Sequence, residues 1–216
     1  FSFDDGNVDD IRLISILNKY GLKGTFNLNS GKLTNSGTWK FGEKDVRHIN
    51  FLESKEIYNG HEVACHTYTH PDLTKLNEET VYNETALDMK LLSFLFGYKV
   101  DGMAYPFGTY NDEVIKTLKK SGILYSRTVK STYSFECPEN PYIWNPTCHF
   151  KDEKIFELAD RFVNSKPDAP KIFYIWGHSY ELVSEDDWKR FENFCKRISS
   201  ISDISYITNK KIIESI

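Results

Sequence analysis

Short runs of apolar and β-branched residues alternate with longer amphipathic stretches along the whole chain, and the two periods point to different elements. The short runs predict strands at residues 1–4, 24–28, 61–66, 102–105, 123–128, 171–176 and 204–207, with a weaker one at 142–144. The long stretches predict helices. In the first of them Ile11, Ile14, Leu17 and Tyr20 recur near the helical period, Gly21 stands where a helix ends in a left-handed residue, and Asp9 and Asp10 suit the positive N-terminal end. Further helices are predicted at 43–54, 77–96, 111–121, 152–164 and 184–199, several followed by a glycine (Gly60, Gly97, Gly122). Strand–helix alternation of this kind predicts an α/β fold with a parallel sheet. Seven or eight such units in 216 residues predict a (β/α)7-8 barrel that is distorted or incomplete, because a full eightfold barrel takes about 250 residues. An open doubly wound sheet is the alternative. No internal repeat, low-complexity tract or linker interrupts residues 1–216, which read as a single domain.

Composition narrows the class without naming a chemistry. With 40% hydrophobic, 15% aromatic and 27% charged residues, the chain can build a core. Its 27 basic and 31 acidic residues give a net charge of −4 with no basic tract, which offers no electrostatic footprint for nucleic acid or anionic lipid. The longest mostly apolar run, LLSFLFGY at 91–98, is far shorter than the ~20 residues that span a bilayer. The chain opens on Phe1 inside an apolar run, without an initiator Met, and is expected to be a trimmed or processed product with residues missing before it. Cys65, Cys137, Cys148 and Cys195 show no C-x-x-C spacing, which removes zinc-ribbon and redox readings. Cys137 and Cys148 flank a Pro-containing loop and could pair in an oxidising compartment; four unpaired buried thiols are the alternative. The residues select neither an extracytoplasmic nor a cytoplasmic location.

The chemistry sits in the polar residues that end the predicted strands, where α/β enzymes place their sites. FSFDDG puts Asp4 and Asp5 side by side at the end of the first strand; helix capping would explain this pair if it stood alone. HEVACHTYTH ends the third strand with His66 and His70 four residues apart, so that two imidazoles share one face. Three of the six histidines, His61, His66 and His70, fall in this one segment. Two imidazoles and a carboxylate make a metal site; His61 opens the strand at the far end and reads as structural. In AYPFG, Pro106 and Gly108 force a rigid loop around Phe107 whose backbone N–H groups can face a pocket. Finally, KIFYIWGH ends an apolar strand in His178, a candidate acid or base.

Taken in order and spacing, these four clusters resemble the polysaccharide deacetylases of carbohydrate esterase family 4, the NodB homology domain, over residues 1 to about 181. The resemblance implies that Asp4 is the catalytic base and Asp5, His66 and His70 are the metal ligands. It implies one divalent ion, Zn2+ ahead of Co2+, Ni2+ or Mn2+. It also gives His178 the role of catalytic acid and the Phe107 N–H that of oxyanion donor. Tyr105, Pro106, Trp144 and Trp176 are the implied pocket residues, with a core role the alternative for Trp144. His149 is a further polar candidate, and Tyr68 and Tyr110 are candidate sugar-stacking rings. One departure is plain: where the family has an arginine before x-Pro-aromatic-Gly, this chain has Ala104. Arg127, alone at the end of the fifth strand, is the candidate to replace it beside Asp4.

The implied activity is metal-dependent hydrolysis of acetyl groups from an acetylated polysaccharide or oligosaccharide, with N-acetylglucosamine-type units first. The alternatives are O-deacetylation of a xylan-like polymer and a catalytically impaired glycan-binding domain of the same fold. Hydrolysis of a phosphate ester at the same ligands is disfavoured by the acidic balance and the lack of an Arg/Lys cluster.

Overall fold

The computed structural model describes residues 1–33, 37–166 and 168–216. Its elements run β1 (Ser2–Asp4), α1 (Asp10–Lys19), β2 (Thr25–Leu28), α2 (Ser30–Leu33), β3 (Thr38–Phe41), β4 (Lys44–Arg47), α3 (Phe51–Ile57), β5 (Glu62–Cys65), α4 (Glu78–Phe96), β6 (Gly102–Ala104), α5 (Asp112–Ser121), β7 (Tyr125–Arg127), β8 (Cys148–His149), α6 (Ile155–Val163), β9 (Ile175–Gly177), α7 (Glu185–Ile198) and α8 (Asn209–Ile213). Seven strands pair in parallel in the order β7-β6-β5-β2-β1-β9-β8, a curled half-barrel rather than an open doubly wound sheet. Between its two edges, Trp144 bridges to Arg127. No helix among the described residues is long and apolar enough to cross a membrane.

The helices begin and end for local reasons. Asn77 caps α4 through Thr80 N–H and Asn111 caps α5 through Val114 N–H, while Gly97 and Gly122 close these helices in the left-handed conformation. The predicted 43–54 helix is corrected: residues 44–47 alternate rather than follow the helical period, with Val46 alone of them buried, and pair antiparallel with β3 as a hairpin. The helix starts only at Phe51, after Asn50 caps it.

Three predicted strands are also corrected. Residues 171–174 are extended but spend their backbone groups on loops, such as Ile172 N–H on the Phe135 carbonyl, so the ladder begins at Ile175. Residues 142–144 enter a 3-10 turn because Pro141 fixes its start and Asn140 caps it. Residues 204–207 pair with no strand among the described residues, and the chain goes on into α8 instead. Cys137 and Cys148 are not bridged: Cys148 is buried in β8, and Cys137 Sγ contacts the Pro170 carbonyl.

Alternation along each strand divides the sheet into two unlike faces. Phe3, Phe26, Leu28, Val63, Cys65 and Met103 face the helices and form the main core. The intervening positions, Ser2 and Asp4, Thr25 and Asn27, Glu62, Tyr125 and Arg127, turn inward and are buried yet polar. Small residues make room for them: a Cβ on Gly102 would come within 2.2 Å of the Tyr125 ring. The half-barrel is therefore lined with hydrogen-bonding groups, and the chemistry stands at one end of that lining.

Candidate active site

Asp5, His66 and His70 meet at the C-terminal ends of the strands. Asp5 Oδ1 lies 3.7 Å from His66 Nε2 and 3.6 Å from His70 Nε2, so one ion could contact all three. The donor set suits a divalent metal. His66 Nδ1 is 2.8 Å from the Ala104 carbonyl, which places its proton there and leaves Nε2 a free lone pair toward Asp5. Burial lowers the pKa of both imidazoles, with His66 adding to the effect on His70, and keeps them in the neutral, ligating form. The loop carrying the histidines is held from outside the motif. Asn29 Nδ2 donates to the carbonyls of His66 and Thr67, and buried Asp88 of α4 accepts from His66 N–H at 3.0 Å and from Ser30. Four residues at the site have positive φ although none is glycine: Asp5 (77°), Thr67 (67°), His70 (64°) and Phe107 (59°). Such conformations cost on the order of 1–3 kcal/mol each and persist where surrounding structure enforces them.

Adjacent Asp4 points to the other side of β1, into the lining. Arg127 Nη2 donates to both of its carboxylate oxygens, while Arg127 Nε reaches Ser2 Oγ at 3.0 Å and Nη1 the Thr128 carbonyl at 3.0 Å. Asn27 Nδ2 adds a bond of 2.8 Å to Asp4 Oδ1. Burial pushes the Asp4 carboxyl up, but Arg127, followed by His66 and His178, outweighs it and leaves the group below the ordinary carboxylate range. Arg127 thus stands against Asp4, as the sequence suggested. Its guanidinium also lies 4.8 Å from the centre of the Trp176 ring.

His178 Nε2 lies 3.9 Å from both Asp4 Oδ2 and Asp5 Oδ2. Its Nδ1 is 3.5 Å from Glu181 Oε2, without an aligned hydrogen bond, and Glu181 also meets His149 Nε2 at 2.9 Å. Burial lowers the His178 pKa; Glu181, Asp4 and Asp5 more than reverse this, so the imidazolium is favoured beyond an ordinary histidine. The turn that carries His178 rests on buried Asp10, which contacts Ser179 Oγ at 2.5 Å and Tyr58 Oη at 2.6 Å. Burial raises the Asp10 carboxyl to about 7.

The candidate pocket residues divide. Pro106 opens a short turn that uses the N–H groups of Gly108 and Thr109, leaving the Phe107 N–H outside these bonds, and the exposed Phe107 ring packs edge-on against His70 at 4.7 Å. Trp176 is half-buried between Arg127, His149 and His178. Two expectations need correction. Trp144 is 2% exposed and packs between Tyr125 and Tyr174 within the lining; Tyr105 is 1% exposed and gives its hydroxyl to the Tyr142 carbonyl. The Trp144 ring is enclosed by two tyrosines, and the buried Tyr105 has its hydroxyl bonded inside the fold. His61 is structural, accepting from Gly24 N–H through Nδ1.

Several contributors escaped the sequence reading. Asp88 could have been noticed as an acid on the buried face of an amphipathic helix, and Asn27 and Asn29 as polar interruptions of an apolar strand. Tyr180, whose hydroxyl is 3.3 Å from Asp5 Oδ2, carried no such signal.

The sequence profile of the polysaccharide deacetylase family matches residues 1–126. The chain is 36% identical over 124 residues to a chitin deacetylase of Arthroderma benhamiae, covering 54% of this chain and 29% of that protein. It is 28% identical over 120 residues to the peptidoglycan-N-acetylglucosamine deacetylase PgdA of Listeria monocytogenes, covering 54% and 23%. A bifunctional xylanase/deacetylase of Pseudobutyrivibrio xylanivorans is 28% identical over 118 residues, covering 54% and 18%. The chain therefore spans less than a third of the length of each of these relatives. The structure of the peptidoglycan deacetylase PdaC from Bacillus subtilis superposes with a TM-score of 0.61 at 18% identity, over 99% of this chain and 88% of that one, a likeness of fold.

Proposed function

Because the chain belongs to the polysaccharide deacetylase family, carbohydrate esterase family 4, we propose that it is a metal-dependent hydrolase that removes acetyl groups from an acetylated glycan, with N-acetylglucosamine-type units as the preferred substrate. The observation that carries this reading is the division of labour between two neighbouring carboxylates: Asp5 faces the histidine pair and Asp4 faces Arg127 and His178.

Asp5, His66 and His70 would hold one divalent ion, Zn2+ first. An ion there supplies Lewis acidity, polarising the acetyl carbonyl and making water more acidic. Asp4, kept ionised by Arg127, takes the proton of the attacking water. The Phe107 N–H donates to the carbonyl oxygen as negative charge builds on it. His178 enters as the imidazolium and passes its proton to the departing nitrogen. An amine is a poor leaving group, so this proton matters more for an N-acetyl sugar than for an ester. The reading as a catalytically impaired glycan-binding domain draws on the missing family arginine, and the contact of Arg127 with Asp4 counts against it.

Acetate release from N-acetylglucosamine oligomers and from acetylated xylan, with and without chelator, tests the reading. Release from the first should stop with chelator and return with Zn2+. Asp4→Asn should keep the ion by elemental analysis and lose about 100- to 10,000-fold in turnover, the range for a general base. Preference for xylan would move the substrate to O-acetyl esters. Silence on both substrates with the ion bound would overturn the deacetylase reading.

A further inference from the structure

Asp10, the first residue of α1, has a fully buried carboxyl that pairs with no basic side chain among the described residues. Its charged neighbour is Asp9, which Lys44 of the hairpin takes up at 2.9 Å. From α3 it meets the Tyr58 hydroxyl at 2.6 Å, and from the turn after β9 it meets Ser179 Oγ at 2.5 Å. The other polar groups of that turn point elsewhere: Glu181 toward His149 and His178, and the Tyr180 hydroxyl toward Asp5. A buried carboxylate without a cation depends wholly on the hydrogen bonds that it receives.

The protons around Asp10 Oδ1 are one too few for an ionised group. Ser179 Oγ lies 2.5 Å from Asp10 Oδ1 and also 2.9 Å from Asn7 Oδ1, and all three residues are fully buried. Asn7 Oδ1 is an acceptor: it takes the Asp9 N–H at 3.1 Å, which fixes the direction of the amide. Ser179 has a single hydroxyl proton to give. With Asp10 ionised, one of the two Ser179 contacts sets oxygen against oxygen with no proton between them. With Asp10 protonated, both are filled: Asp10 Oδ1 donates to Ser179 Oγ, Ser179 Oγ donates to Asn7 Oδ1, and Asp10 Oδ2 accepts from Tyr58 Oη. Burial acts in the same direction and raises the carboxyl to about 7, the charge of Asp9 adding to it against the bonds from Ser179, Tyr58 and the Asn7 backbone.

This chain of bonds joins the two halves of the candidate site. Asn7 follows the loop of Asp4 and Asp5, Ser179 follows His178, and the Asp10 N–H holds the Asn7 carbonyl at 3.0 Å. His178 Nε2 stands 3.9 Å from both Asp4 and Asp5, so the placement of its turn sets the distance between acid and base. We propose that Asp10 is a positioning residue for the hydrolysis and works as a neutral carboxylic acid: its proton, given to Ser179, fixes the His178 turn against the Asp4 and Asp5 loop, and its ionisation frees that turn. The role in hydrolysis rests on the deacetylase reading; the protonation state of Asp10 does not.

The test compares the unaltered protein with Asp10→Asn, Asp10→Ala and Ser179→Ala, the last standing in if Asp10→Ala does not fold. In Asp10→Asn the amide nitrogen donates to Ser179 Oγ and the amide oxygen accepts from Tyr58, which reproduces the neutral acid at every pH. It should keep most of the acetate release from N-acetylglucosamine oligomers, whereas the alanine variants lose about 10- to 100-fold in kcat with little change in KM, the scale of a misplaced reacting group. As pH rises past about 7 its rate should fall less steeply than that of the unaltered protein, because His178 alone then loses a proton. Stability reads the same proton without turnover. A carboxyl with a raised folded pKa contributes stability below its unfolded value and loses it as pH climbs to the folded one, so in denaturant melts Asp10→Asn should gain on the unaltered protein between the unfolded carboxylate range and about pH 7. Turnover lost as fully in Asp10→Asn as in Asp10→Ala, unchanged kcat in the alanine variants, or a stability difference that does not move with pH overturns the proposal. Absence of acetate release from the unaltered protein, with the pH-dependent stability difference present, overturns the deacetylase reading and leaves the neutral acid standing.

Discussion

The two ends of the half-barrel bury carboxylates in opposite ways. At the N-terminal ends of the strands, Glu62 is saturated: it accepts from Tyr125 Oη at 2.6 Å, Thr25 Oγ1 at 2.8 Å and Lys210 N–H at 2.9 Å, while Asn209 is held by Thr25 and Tyr174. At the C-terminal ends, Asp4 and Asp5 stand among charges and imidazoles, on a backbone with several left-handed residues. Buried atoms there lack a hydrogen-bond partner among the described residues, including Trp176 Nε1, His178 Nδ1, Asn27 Oδ1 and Asn29 Oδ1. A carboxylate with its acceptors filled closes a structure, whereas groups with unfilled valences and stored strain are set out for something else to bind. Asp4 is itself bonded by Arg127 and Asn27, so what sets it apart from Glu62 is the charge of its surroundings, a guanidinium and two imidazoles in place of hydroxyls and a backbone N–H.

Breaking the Asp4–Arg127 pair should have the largest effect on this contrast. Arg127→Met leaves the Asp4 charge buried without its partner, and loss of one member of a buried pair costs about 3–5 kcal/mol. The sign of the pH dependence follows from the lowered Asp4 pKa. In the unaltered protein the pair contributes stability above the unfolded carboxylate range, and that stability is lost as pH falls through the lower folded value. In Arg127→Met the carboxyl should titrate higher, moving the acid limb of the rate profile to higher pH. Arg127→Lys keeps the charge, loses the forked geometry and should fall between the two. Denaturant melts with rate profiles check both effects; unchanged stability and an unmoved limb would show that Arg127 does not hold the base.

Glu181 offers a smaller break. It helps to raise the His178 pKa against the effect of burial, so the imidazolium survives to higher pH than in an ordinary histidine. Glu181→Gln should bring the alkaline limb of turnover to lower pH, with about a tenfold loss above it for each pH unit moved. Hydrolysis of an ester with a good leaving group should suffer less, because it needs less help from an acid. Equal loss on ester and amide would place the effect of Glu181 elsewhere than on proton delivery.

What the sequence made legible was local. Asp4 and Asp5, His66 and His70, and His178 each lie within a few residues of a strand end, so periodicity alone brings them to one rim. Arg127 was visible for the same reason, as a charge at the end of an apolar run. The hairpin was hidden because residues 44–47 show strand character only once β3 pairs with them, and Tyr180 was hidden because its partner Asp5 is distant in sequence, as is the His149 partner of Glu181. Trp144 and Tyr105 misled because an aromatic near a motif looks the same in sequence whether its ring faces a ligand or the core. Residues 204–207 carried a strand pattern, yet a strand needs a neighbour, and the sheet ends at β7 and β8.

The saturated end should yield the smallest effect, and this makes it the sharper half of the comparison. In Glu62→Gln the amide oxygen can keep the Lys210 and Thr25 donors while the amide nitrogen donates to Tyr125 Oη, whose hydroxyl can rotate to accept. Stability at neutral pH should change by no more than about 1 kcal/mol, with acetate release unaltered. Burial raises the Glu62 pKa, so the native state binds a proton more readily than the unfolded chain, and stability declines as pH rises from the unfolded toward the folded value. Glu62→Gln should flatten that decline, as melts across the weakly acidic range would read. A large loss of turnover from Glu62→Gln, at unchanged stability, would mean that the two ends are coupled and that Glu62 does more than close the structure.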